Sequence, residues 1–279
     1  MKIWFIIILC LALSACSSQK SEIDKNAEIA KRVAQTPNLI LQHTIKAEHY
    51  QLHYVSNGNA TKPNILFIHG TPGSWSSFAR YFEDPDLMRD YNINALDRPG
   101  WGKSSYPTNH FPKSLSEQSV LIGPLLKDIW EKNNTKTLII GHSLGGSLAP
   151  KLAVDYPEYI EGVLILAGDV GPKLAEARWF NFALDILPEQ WVPKFWYNAN
   201  QEVLELMPEL EKLQNQYSKL DIPVTFLQGT NDDLVRPQNA EFAQSLFPRI
   251  NVVWLDGASH IINLTHEKEV KKAIQTFYQ

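Results

Sequence analysis

Apolar and polar residues alternate in two textures along the chain, and the textures predict the elements. HYQLHYVSNG (residues 49–58) alternates apolar with polar positions, the period-2 signature of an antiparallel strand with one solvated face. NILFIHG (64–70), KTLIIG (136–141) and EGVLILAG (161–168) are instead continuous apolar runs, as strands buried on both faces require. YNINALD (91–97), IPVTFLQG (222–229) and NVVWLDG (251–257) read as further strands. Helical stretches lie around 76–89, 115–132, beyond Ser143, 239–246 and 267–277. This alternation predicts an α/β fold, a mostly parallel, doubly wound sheet with helices on both faces. The rhythm breaks between Asp169 and Leu220, where Trp, Phe, Pro and Leu crowd together without a strand pattern. A helical lid over 170–219, inserted after the sixth strand, is expected there, above a site built on the sheet.

The first residues differ from the rest. MKIWFIIILCLALSACSS has one lysine, an apolar run from Ile3 to Leu13 and small residues before Cys16. A membrane-spanning helix needs about 20 apolar residues, so a cleaved signal peptide over 1–15 suits this run better than an anchor helix. Leu13-Ser14-Ala15-Cys16 resembles the lipobox of bacterial lipoproteins, which implies that Cys16 becomes the lipidated N-terminus. Each buried acyl methylene then contributes about 0.8 kcal/mol of membrane attachment. Ser17 stands where an aspartate would favour inner-membrane retention, so the resemblance implies the bacterial cell envelope, at the outer membrane if the cell is Gram-negative. Residues 16–46 read as a polar tether with a short helix near 23–34, and 47–279 as the folded domain.

Composition narrows the function classes. A chain of 279 residues with 44% hydrophobic and 20% charged residues is globular and long enough for one substantial core. The formal charge of −4 carries no basic excess, so nucleic acid is not an expected partner. Loss of Cys10 with the signal peptide leaves Cys16 alone, and no internal disulfide is possible. With no histidine-rich helix pair or cysteine cluster, neither metal nor cofactor is expected.

The chemistry centres on TKTLIIGHSLGGSLAP (135–150). Gly141-His142-Ser143-Leu144-Gly145 has the G-x-S-x-G form between a buried strand and a helix, the setting of a nucleophile elbow. Serine is a weak nucleophile at neutral pH and needs an imidazole base held by an acid. Downstream, QGTNDDLVRP and DGASH each follow a buried strand, placing Asp232 and His260 on loops where open parallel sheets carry their sites. Asp233 and Asp169 are rival acids, and of the eight histidines only His260 has the required order and loop.

With HGTPGS (69–74) and DRPGWGKS (97–104), the elbow resembles the α/β-hydrolase superfamily over almost everything from residue 47 onward. The resemblance implies a serine hydrolase with Ser143 as nucleophile, His260 as general base and Asp232 as orienting acid. It further implies an oxyanion hole from the backbone N–H groups of Thr71 and Leu144. Serine at position 143 disfavours the epoxide hydrolases and haloalkane dehalogenases, which use aspartate there. His69 is expected to brace the oxyanion loop, and Asp97 and Arg98 the loop after the fourth strand. The pocket residues expected are His142, Trp179, Trp191 and Trp196, giving an apolar site for a small hydrophobic substrate. Ester hydrolysis leads, with carbon–carbon, lactone and amide or peptide hydrolysis as alternatives in the same fold. The rival from another class is a surface-anchored binding protein without turnover, against which all three filled triad positions argue.

Overall fold

The computed structural model describes residues 2–107 and 110–279, with side chains over 19–107 and 110–279. Its centre is an eight-stranded sheet in the order β1-β2-β4-β3-β5-β6-β7-β8. The strands are β1 (Leu41–Ala47), β2 (Tyr50–Ser56), β3 (Asn64–Ile68), β4 (Asn92–Leu96), β5 (Thr137–His142), β6 (Ile160–Leu166), β7 (Val224–Gly229) and β8 (Ile250–Leu255). β1 pairs antiparallel with β2, and β2 with β4, while the pairs from β4–β3 through β7–β8 are parallel. Parallel pairing brings the carboxyl ends of β5, β6, β7 and β8 to one rim, so the loops that carry Ser143, Asp169, Asp232 and His260 gather there.

The core explains the continuous apolar runs. Leu66, Ile68 and Ile139 pack into one buried cluster, while their neighbours Ile65, Phe67, Leu138 and Ile140 pack into another. Successive side chains point to opposite faces of a strand, so both faces of this sheet are covered.

Two features at the N-terminal end depart from the tether expected over 16–46. Helix α1 (Lys2–Gln35) is docked rather than loose: Ala30 and Val33 are buried in the second cluster. Arg32 forms a two-pronged pair with Glu83, Arg80 bonds Glu22, and the Asn26 amide donates to the Ser76 carbonyl at 2.8 Å. Beyond it, β1 begins at Leu41, so the folded body starts ahead of residue 47. The signal peptide expected over 1–15 and the acylation expected at Cys16 fall where side chains lie outside the described residues. No helix among the described residues is long and apolar enough to cross a membrane.

The remaining helices are α2 (Pro85–Asp90), α3 (Leu115–Asn133), α4 (Leu144–Asp155), α5 (Trp179–Asp185), α6 (Lys194–Tyr217), α7 (Gln238–Leu246), α8 (Ile262–Thr265) and α9 (Glu267–Phe277). A 3-10 turn at Trp75–Phe82 and α2 take the place of the single helix expected around 76–89. Their junction is forced by Asp84, which caps α2 by accepting from the amides of Asp86 and Leu87. Between β6 and β7 the chain leaves the sheet for a helical insertion that contains α5 and α6.

Candidate active site

Ser143 sits between β5 and α4 with φ 54° and ψ −124°, a backbone conformation that costs a non-glycine residue about 1–3 kcal/mol. Its neighbours make the corner possible. A Cβ on Gly141 would collide with the Gly145 carbonyl, and one on Gly145 with the Ile68 carbonyl. The turn is fastened by the Ser143 N–H, which donates to the Leu166 carbonyl at 2.9 Å, and by the Ser143 carbonyl, which accepts from Gly146 at 2.8 Å.

Beyond β8, His260 donates from Nδ1 to Asp232 Oδ2 at 2.9 Å. An ionised carboxylate can only accept, so this contact assigns the ring proton to Nδ1 and leaves Nε2 as the acceptor. Asp232 Oδ1 takes the amides of Leu234 and Val235, both at 2.9 Å, and Oδ2 also accepts from Gln228 at 3.2 Å. Burial pushes the Asp232 carboxyl up, but the His260 contact and the two amides outweigh it and hold the group below its ordinary value. Asp233 is exposed and does not bond His260, which separates the adjacent carboxylates. Asp169 accepts from Asn239 at 2.7 Å, and burial raises its carboxyl to about 6.

His142 donates from Nε2 to the His260 carbonyl at 2.9 Å, and the two rings lie 4.9 Å apart. Burial, together with His260, lowers the His142 imidazole to about 3, so it stays neutral beside the site. His69 donates from Nδ1 to Gly70 O at 2.7 Å, while its Nε2 accepts from the Arg98 amide at 2.9 Å. Asp97 accepts from the amides of Trp75 and Lys103 and from His53. These contacts are the bracing roles expected of His69 and Asp97.

Ser143, His260, Thr71 and Leu144 border one cavity of about 740 Å³. Among the described residues, neither the Thr71 nor the Leu144 N–H donates to a protein acceptor. Leu144 opens α4, whose positive dipole end therefore meets the cavity. Of the expected pocket residues, His142 and Trp196 border it. Trp179 and Trp191 do not: they are 80% and 74% exposed on the outer side of the insertion, whose first helix has no buried residue. Phe180 and Leu184 supply that wall instead, and Ile23, Asn26 and Ala27 of α1 form a border that was not foreseen. The signal for α1 was present in Ile23, Ala27, Ala30 and Val33, which recur at helical spacing. No group of three or more His, Cys, Asp or Glu side chains suited to a metal occurs among the described residues.

The alpha/beta hydrolase family model matches residues 65–273. The chain belongs to that family. The chain is similar to epoxide hydrolase 4 of Mus musculus, 33% identical over 123 residues that cover 44% of the chain and only 33% of that relative's length. A Haemophilus influenzae protein named for esterase/lipase activity is 26% identical over 263 residues, covering 82% of this chain and 87% of that one. Among solved structures, a bacterial membrane phospholipase A superposes with a TM-score of 0.67 at 18% identity, covering 100% of this chain and 98% of the other. That likeness is one of fold.

Proposed function

We propose that this hydrolase cleaves carboxylic esters with an apolar acyl or alcohol group, through an acyl-enzyme on Ser143. His260 Nε2 takes the Ser143 proton as the hydroxyl attacks the ester carbonyl, and Asp232 holds the ring tautomer and faces the imidazolium that forms. The Thr71 and Leu144 N–H groups receive the developing oxyanion. His260 then protonates the leaving alcohol, and a water activated by the same ring releases the acid.

One observation carries this reading: a serine held at positive φ borders the same cavity as a histidine whose other ring nitrogen is bonded to a buried carboxylate. Leu174, Phe180, Leu184, Trp196 and Leu206 border that cavity, which supports an apolar substrate group. The similarity to the Haemophilus influenzae protein, spread over most of both chains, supports ester over epoxide chemistry. Acyl chains on Cys16 hold the protein at a bacterial envelope membrane in this reading, as the Leu13–Cys16 motif implies.

The test is a hydrolysis screen over esters of graded acyl length, lactones and aminoacyl amides, with Ser143→Ala as the blank. A serine-directed fluorophosphonate is expected to label the native protein, and Ser143→Ala to abolish labelling and lower kcat by roughly 10⁴-fold or more. Full turnover by Ser143→Ala would sink the mechanism. Preferential turnover of lactones or amides would reassign the bond.

A further inference from the structure

The helical insertion reaches into the sheet body with one carboxylate. Trp196, Ala199, Asn200, Val203 and Leu206 of α6 border the cavity, the 3- and 4-residue spacing of a single helix face. Glu202 points elsewhere and is 1% exposed. Its Oε1 accepts from Arg98 Nη1 at 2.6 Å, Gln118 Nε2 at 2.8 Å and Trp101 Nε1 at 3.0 Å, and its Oε2 from Arg98 Nη2 at 3.2 Å.

Arg98 is wholly buried and also donates from Nη1 to Gln118 Oε1 at 2.7 Å, but its two bonds to the oxyanion loop are what matter. Nε donates to the His69 carbonyl and Nη2 to the Gly70 carbonyl, each at 2.9 Å. The Gly70 carbonyl and the Thr71 N–H belong to one planar peptide unit and point in opposite directions when it is trans. Among the described residues the only cis peptide is Thr71–Pro72, so the Gly70–Thr71 unit is trans. Arg98 and His69 together fix the Gly70 oxygen, and in doing so fix where the Thr71 N–H points. A charged donor on a carbonyl also polarises the amide and strengthens its N–H as a donor.

We propose that Glu202 is a positioning residue for the oxyanion hole: by holding Arg98 against the Gly70 carbonyl, it sets the direction and donor strength of the Thr71 N–H. The insertion is thereby coupled to transition-state stabilisation, not only to substrate binding. This rests on the reading of the protein as a serine hydrolase with Thr71 in its oxyanion hole.

The experiment compares the native protein, Glu202→Gln and the double variant Arg98→Gln/Glu202→Gln. A fluorophosphonate run to completion counts competent sites in each, and kcat and KM for a soluble short-chain ester are expressed per counted site. Breaking a buried pair on one side leaves an unpaired charge and destabilises the fold, whereas removing both charges restores much of that stability. Glu202→Gln is expected to lower kcat per site by roughly 10-fold or more, with KM changed less than about 2-fold and phosphonylation slowed in parallel, because a misdirected oxyanion donor acts on the transition state. The double variant is expected to recover thermal stability and keep the kcat deficit. If Glu202→Gln changes only the number of competent sites, if KM alone rises, or if kcat returns with stability in the double variant, the residue merely fastens α6 and the proposal fails. Absence of labelling at Ser143 in the native protein would instead overturn the serine-hydrolase reading, and this proposal with it.

Discussion

Two carboxylates, Asp232 and Asp169, stand at the site, and their surroundings drive them apart. Asp232 is bonded to the ring and to two amides, which keeps it ionised. Asp169 has one amide donor, from Asn239, against a burial that raises it to about 6. An acid whose folded value lies above its unfolded value of 3.8 favours the folded state when protonated. That advantage is complete below about pH 4 and is lost as pH rises through 6. Ionised Asp169 therefore costs about 3 kcal/mol at pH 8 at one unit per 1.36 kcal/mol. Asp169→Asn keeps an acceptor for Asn239 and removes the charge. Its Tm is expected to exceed that of the native protein by roughly 5–10 °C at pH 8 and to match it near pH 4. Equal Tm differences at both pH values would refute the assignment. The same pair of residues decides the orienting acid: Asp232→Asn is expected to lower kcat by about 10⁴-fold through the wrong ring tautomer, and Asp169→Asn by only a few-fold.

At the scale of elements, what the sequence disclosed and what it withheld divide along local and tertiary causes. The elbow was legible because its cause is local: two glycines and a serine at a strand end leave a single way to turn. Asp232 and His260 were legible for a related reason, since buried strands announce the loops that follow them. Trp179 faces outward because α5 is apolar around most of its circumference, and such a helix does not reveal which face meets the cavity; Trp191 lies beyond α5 in a short 3-10 turn, Glu189–Trp191, whose direction no periodicity discloses. Helix α1 looks like a tether in sequence because a segment rich in Lys, Glu and Ser looks solvated, and its docking depends on Ser76, Arg80 and Glu83 from far along the chain. Its place at the rim has a measurable consequence. Ala27 is exposed yet borders the cavity, so Ala27→Trp narrows the mouth without disturbing the core. The variant is expected to lower kcat/KM for long-acyl esters by roughly 10-fold, the few-fold to 200-fold range of one altered apolar contact, and to leave acetate esters unchanged. Equal loss on both would show that α1 acts on stability, not on access.

For the whole molecule, the outer part of the insertion is unusually apolar. Ile186 is 83% exposed, and Trp179, Phe182 and Trp191 are more than half exposed. Monomeric soluble proteins rarely leave large apolar side chains grouped on one segment, and Trp is suited to the membrane–water boundary, where an amphipathic ring keeps one end wet. Phe180 and Trp196 belong to the same segment and border the cavity, as do Ile23, Asn26 and Ala27 of α1, a short way along the chain from Cys16. With Cys16 acylated as proposed, these exposed aromatics would lie against the same bilayer, and Phe180 and Trp196 would lead from them to the cavity. Substrate would then pass from lipid to Ser143 without crossing water. The double variant Trp179→Glu/Trp191→Glu touches neither core nor cavity, so turnover of a soluble short-chain ester is expected to stay within about 2-fold of native, as for other exposed substitutions. Hydrolysis of lipid esters in vesicles is expected to fall by roughly 10-fold, since each charge on this apolar surface opposes insertion by a few kcal/mol at most. Cys16→Ser separates the two attachments: it is expected to release the protein from membranes in cells while leaving the purified enzyme's activity on soluble ester intact. If the double variant hydrolyses vesicle lipid at the native rate, the exposed aromatics are not a membrane surface, and the cavity draws its substrate from solution.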